Sequence, residues 1–159
     1  MNGRSTGWGI VVVALLLWLM TSRSNAQPEL DSVTENSLSQ RVETFLRAVA
    51  TGDVGPALDE LVKSGPLSLD VERYEKLRNS LPQILARYGR FQRSERLKVE
   101  RIGESLVRCT VLYHCSNYPV VWRVTFYRSD STSSTWNVIA LEFDTDYAKL
   151  TAEPRALSN

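Results

Sequence analysis

The residues of this chain that can do chemistry are few and scattered: one histidine (His114), two cysteines (Cys109 and Cys115), the pair Asp144 and Asp146, and Tyr113 within an apolar run. A single histidine with no cysteine or carboxylate beside it at ligand spacing builds no metal site, so His114 reads as a solvated side chain beside a turn. No metal ligands and no cofactor are expected. Asp144 and Asp146 close the last apolar segment. As a pair they can hold a cation or act on a substrate, but carboxylates at a strand end are more often solvated caps. Cys109 and Cys115 stand on one expected strand, about 20 Å apart at about 3.3 Å per residue, and a disulfide permits only about 4.4–6.8 Å between Cα atoms. No intramolecular disulfide is therefore expected. Cys109 reads as a buried thiol, while Cys115, near a hairpin tip, is placed to link two chains.

The strands that position these groups follow from a period of two. Val107, Cys109, Val111, Tyr113 and Cys115 alternate with Arg108, Thr110, Leu112 and His114. Beyond the turn-rich Ser116-Asn117-Tyr118-Pro119, Val120, Trp122, Val124 and Phe126 alternate with Val121, Arg123, Thr125 and Tyr127. Pairing Cys115 with Val120 predicts Tyr113 opposite Trp122, Val111 opposite Val124 and Cys109 opposite Phe126, with every apolar residue on one face. A loop at Gly103-Glu104-Ser105 then sets Val99 against Cys109 and Leu97 against Val111, with Glu100 facing Arg108. A last strand, Trp136 to Asp144, is apolar on both faces. Trp136, Val138 and Ala140 fall on one and Ile139, Leu141 and Phe143 on the other, so either a bulge shifts its phase or both faces are covered.

Helices precede the strands. Leu38, Val42, Phe45, Leu46 and Val49 recur at helical spacing and stop at Gly52. Pro56 opens a second helix through Val62, ended by Gly65-Pro66. Asp70 caps a third, with Tyr74, Leu77, Leu81, Leu85 and Tyr88 as its stripe and a break near Asn79 to Leu81 imposed by Pro82.

The first 26 residues carry Arg4, an uncharged apolar run from Gly9 to Met20, and Ser24-Asn25-Ala26 before Gln27-Pro28. That is a secretory signal pattern with cleavage after Ala26. Its run of about 12 apolar residues is short of the roughly 20 that span a bilayer, so no stable membrane anchor is expected after cleavage. The expected product is exported, periplasmic or secreted, with a flexible lead over 27–36, one domain over 37–146 and a flexible tail over 147–159. Losing Arg4 and Arg23 from the 19 basic residues leaves 17 against 18 acidic ones. Arg87, Arg90, Arg93, Arg96, Lys98, Arg101 and Arg108 cluster locally, yet Glu95, Glu100 and Glu104 are interleaved with them. This is a solvated edge rather than a nucleic-acid surface.

Helices followed by an antiparallel meander make the chain an α+β protein. It resembles the nuclear-transport-factor-2-like (NTF2-like) superfamily, and in particular its small exported members. The residues that carry the resemblance are Phe45-Leu46, Gly52-Asp53, Ala57-Leu58, Tyr88-Gly89, the run Pro119 to Tyr127 with its Trp122 and Phe126-Tyr127, Trp136, and Phe143-Asp144. The resemblance implies a cone whose interior is lined here by Val111, Tyr113, Trp122, Val124 and Phe126. Catalytic relatives place an Asp, His or Tyr in that cone. Here Tyr113 is the one strong donor, with no base on the same face. The expectation is a non-catalytic binding or interaction module for a small hydrophobic ligand. The alternative is an NTF2-like isomerase or hydrolase using Tyr113 with a rim acid such as Asp144. Relatives often dimerise through the sheet, so the strip of Ile139, Leu141 and Phe143 is read as a homodimer face.

Overall fold

The computed structural model describes residues 31–146 apart from 64 and 131–132, and the side chain at 85 is likewise not described. The expected export segment, the tail over 147–159 and the start of the lead lie outside those residues. The rest of the lead is helical: α1 (Ser32–Thr51) begins at Ser32 because Asp31 caps it. One Asp31 oxygen accepts the Thr34 N–H at 2.8 Å and the other takes the Thr34 hydroxyl at 2.8 Å. These bonds hold the Asp31 carboxyl below the usual carboxylate range. Leu38, Val42, Phe45, Leu46 and Val49 are all buried, and Gly52 ends the helix at φ 93°.

The remaining helices are shorter. α2 (Val54–Val62) starts two residues before Pro56, which therefore sits in the first turn, where a missing N–H costs no intrahelical bond. Pro66 opens a further short helix, α3 (Pro66–Leu69), in what reads in the sequence as a terminator. α4 (Val71–Ser80) has Asp70 as its cap, accepting the Arg73 N–H at 3.1 Å. The break before Pro82 is present, and α5 (Pro82–Tyr88) buries Ile84 beside Leu81 and Leu77.

Four strands follow: β1 (Phe91–Ile102), β2 (Leu106–Cys115), β3 (Val120–Tyr127) and β4 (Asn137–Asp144), in the order β1-β2-β3-β4, each antiparallel to the next. The helices cover one face, and Phe45 meets Trp122 edge-on at 5.8 Å between ring centroids. Trp122 also contacts Tyr113 at 6.1 Å and Phe143 at 5.1 Å. This aromatic cluster ties α1 to β2, β3 and β4.

The face assignment of β2 and β3 holds, but the register is displaced by two residues. Tyr113 lies opposite Val120, Val111 opposite Trp122, Cys109 opposite Val124 and Val107 opposite Phe126. A shift of two preserves every face, since side chains alternate with a period of two. The cause is that the turn bonds to a distant segment instead of closing its own hairpin. Ser116 N–H donates to the Arg90 carbonyl at 2.8 Å, and the N–H groups of Asn117 and Tyr118 donate to the Tyr88 carbonyl at 3.1 and 3.3 Å. Gly89 lies between those carbonyls at φ 88°, where an added Cβ would stand 2.3 Å from Ser116 Oγ.

Two bulges correct further expectations. Val99 does face Cys109 and Glu100 does face Arg108, but Arg96 rather than Leu97 meets Val111, and Leu97 is pushed out to solvent. In β4 a bulge at Ile139 shifts the phase, so Val138 pairs with Phe126 and Leu141 with Val124. Leu141 belongs to the core and Phe143 packs against it. The expected dimer strip of Ile139, Leu141 and Phe143 is thus divided: the last two turn toward the helices.

Candidate functional site

Val111, Tyr113, Trp122, Val124 and Phe126, the expected pocket lining, are core. Tyr113, Trp122, Val124 and Phe126 are 0 % exposed and Val111 3 %. All five are closed off from solvent and pack within the core. The Tyr113 hydroxyl and the Trp122 indole N–H have no hydrogen-bond partner among the described residues. Burial pushes the Tyr113 hydroxyl well above its ordinary range, so it keeps its proton.

The acid expected to work with Tyr113 is on the other side of the sheet. Asp144 pairs with Val121 and accepts a 2.6 Å hydrogen bond from Arg123 Nη1. Asp146 donates its backbone N–H to Asp144 Oδ1 at 2.9 Å, as a strand-end cap does. His114 contacts Glu95 Oε2 at 3.2 Å through Nε2. Among the described residues no cluster of His, Cys, Asp or Glu has the make-up of a metal site. Cys109 and Cys115 are buried free thiols on β2, so the second is also withdrawn from the surface where it would link chains.

A cleft of about 670 Å³ opens elsewhere, between α1, α2 and the segment entering β4. That is within the span of about 300–1,000 Å³ typical of small-molecule sites. Its apolar wall comes from Phe45, Ala48, Ala57, Leu61 and Trp136, and its polar margin includes Gln40, Thr44, Thr135 and Asn137. Three charged side chains line it: Arg41, Glu60 and Lys63.

Arg41 is the positioned group among the three. Its Nη1 donates to the Trp136 carbonyl at 2.6 Å and its Nη2 to the Leu61 carbonyl at 3.2 Å, while the guanidinium lies 5.2 Å from the centre of the Phe126 ring. Leu61 is in the last turn of α2, where carbonyls have no intrahelical partner and no basic residue of that helix stands by. Arg41 supplies from α1 the cation that favours such a helix end. Partial burial lowers its pKa, but a guanidinium stays protonated. Trp136 is held in turn by the Arg128 guanidinium, 4.7 Å from its ring centre.

Lys63 and Glu60 sit at the mouth as a loose pair at 3.7 Å, both largely exposed. Chemically the cleft offers an apolar surface, a ring of amide and hydroxyl groups, and a fixed cation. Glu60 is the one carboxylate among the described lining residues, and it stands at the mouth beside Lys63. The sequence does hold one signal of it. Arg41 falls inside the buried stripe, three residues after Leu38 and four before Phe45, where an apolar residue is the rule. Its partners, 20 and 95 residues away, leave no local trace. Comparison with family models, curated proteins and solved structures finds no match to the chain, so the cleft's own geometry carries the functional reading.

Proposed function

We propose that this chain is an exported, non-catalytic binding module whose ligand site is the Arg41 cleft rather than the interior of the sheet. The observation that carries this reading is a half-buried guanidinium pinned by two backbone carbonyls at the wall of a cleft of about 670 Å³. A side chain fixed in this way loses little freedom when a ligand arrives, and such preorganisation is what a binding site needs. The helices-then-meander order and the Tyr88-Gly89 hinge support an NTF2-like scaffold for it, and the signal pattern of the first 26 residues supports export.

Thermal unfolding against a panel of small amphipathic molecules tests the reading, with Thr44→Trp as a variant that fills the cleft from its exposed margin. A ligand present at about 100 times its Kd stabilises by about 2.7 kcal/mol, a readily measured rise in Tm. The unchanged protein should respond to at least one class, and Thr44→Trp should not. Equal responses from both would place binding somewhere else.

A further inference from the structure

We propose that the ligand of the cleft is an amphipathic monocarboxylate, its apolar body along the walls at Ala48 and Ala57 and its carboxylate on Arg41. This rests on the preceding reading of the cleft as a binding site and adds the chemistry of what it binds.

Three features of the cleft select that class. First, a guanidinium has five N–H donors, and Arg41 places two of them on the Trp136 and Leu61 carbonyls. The other three have no partner among the described residues. Arg41 also joins no close ion pair among them, the Glu60 carboxylate acting on it only from a distance, although it is half-buried beside apolar side chains. A cation drawn partly out of water gains from an anion that reaches it. Second, the charges lining the cleft are Arg41, Lys63 and Glu60, with Glu60 3.7 Å from Lys63 and its charge also felt by Arg41. The net charge facing a ligand is therefore a single positive one, suited to a monoanion. A dianion would meet Glu60 with no second free cation deep in the cleft. Third, the cation is an arginine held in a plane, and a planar donor fork matches a planar carboxylate. The apolar wall beside it has nothing to offer a small inorganic ion but covers a hydrocarbon body.

The test uses one apolar body with four head groups on the unchanged full chain: 4-phenylbutanoate, 4-phenylbutan-1-ol, 4-phenylbutylamine and 4-phenylbutylphosphonate. Affinities come from calorimetry at pH 7, and binding is located by amide chemical shifts on Arg41, Leu61 and Trp136. A hydrogen bond to a charged group is strong enough that the carboxylate should bind about tenfold or more tighter than the alcohol, with the amine weakest. Its advantage should vanish as pH falls below the ligand's own carboxyl pKa. Lys63→Met should leave most of the preference for the acid over the alcohol, because Arg41 carries it. Alcohol and carboxylate binding equally well in the cleft would overturn the proposal and leave the binding site standing. The phosphonate binding tightest would likewise overturn it, in favour of a dianion site. No binding by any of the four, together with no response in the wider panel, would remove both the proposal and the reading beneath it.

Discussion

The Arg41 guanidinium and the Trp136 carbonyl, 95 residues apart in the chain, meet at 2.6 Å and fasten the first helix to the entrance of the last strand. Because the same guanidinium also reaches the Leu61 carbonyl, one side chain braces three elements as well as lining the cleft. Arg41→Leu removes both bonds and leaves two carbonyls short of a donor. It should cost about 3 kcal/mol or more in urea unfolding, since each hydrogen bond to a charged donor contributes about 1.5–3 kcal/mol. Arg41→Lys, which can keep one of the two, should cost about half as much. An Arg41→Leu protein as stable as the parent would mean that the brace contributes nothing.

Gly89 makes the contact between the Tyr88–Arg90 segment and the turn after β2 possible. Gly89→Ala faces two penalties: φ 88°, and a Cβ 2.3 Å from Ser116 Oγ. The left-handed backbone alone costs about 1–2 kcal/mol for a residue with a side chain. Destabilisation beyond that range is expected, and adding Ser116→Gly should recover only the Ser116 share of the clash, since Asn117 Cγ also stands 2.9 Å from the new Cβ. Full recovery in the double variant would show that the backbone conformation itself is not strained.

The bulge at Ile139 decides how β4 answers to charge. Leu141 is 6 % exposed and part of the core, so Leu141→Lys should unfold the protein or cost about 3 kcal/mol or more, with no intact monomer released. Ile139→Lys, at the residue the bulge removes from pairing, should cost less than about 1 kcal/mol. Circular dichroism with light scattering checks both at once. A well-folded Leu141→Lys monomer derived from a dimeric parent would restore the interface reading.

The sequence is informative where physics is local. The stripe from Leu38 to Val49, the Asp70 cap and the break at Pro82 follow from spacing, side-chain capping and the missing proline N–H, and all three are present. The inner faces of β2 and β3 are legible for the same reason. The two-residue register shift is not, because it is set by hydrogen bonds from Ser116, Asn117 and Tyr118 to Tyr88 and Arg90, which no periodicity encodes. The two bulges are likewise products of pairing: apolar residues on both faces of Trp136 to Phe143 fit either a bulge or cover on the second face, and alternation alone does not choose between them. The cleft was hidden most deeply. Its walls come from residues near 40, 60 and 135, whereas the inner face of the sheet, Tyr113 and Trp122 included, is packed as core.

The last prediction concerns the thiols. Burial pushes the Cys109 thiol from an ordinary 9.0 up to about 12 and raises that of Cys115 in the same direction. A group whose folded pKa lies above its unfolded one stabilises the fold fully below the unfolded value, and that contribution is lost as pH rises toward the folded value. For Cys109 the window runs from pH 9.0 to about 12. Each pH unit in that window can remove up to about 1.4 kcal/mol for this thiol. Below pH 9.0 the neutral thiol is common to both states, so this group gives no slope there. Urea unfolding repeated from pH 7 to 11 should therefore show stability falling on the alkaline side, and Cys109→Ala should flatten the fall. Because the thiolate is the reactive form, a thiol reagent at pH 8 should label neither cysteine in the folded protein and both in urea. Rapid labelling of Cys109 in the folded state, or an alkaline slope unchanged by Cys109→Ala, would contradict the burial of that thiol in β2.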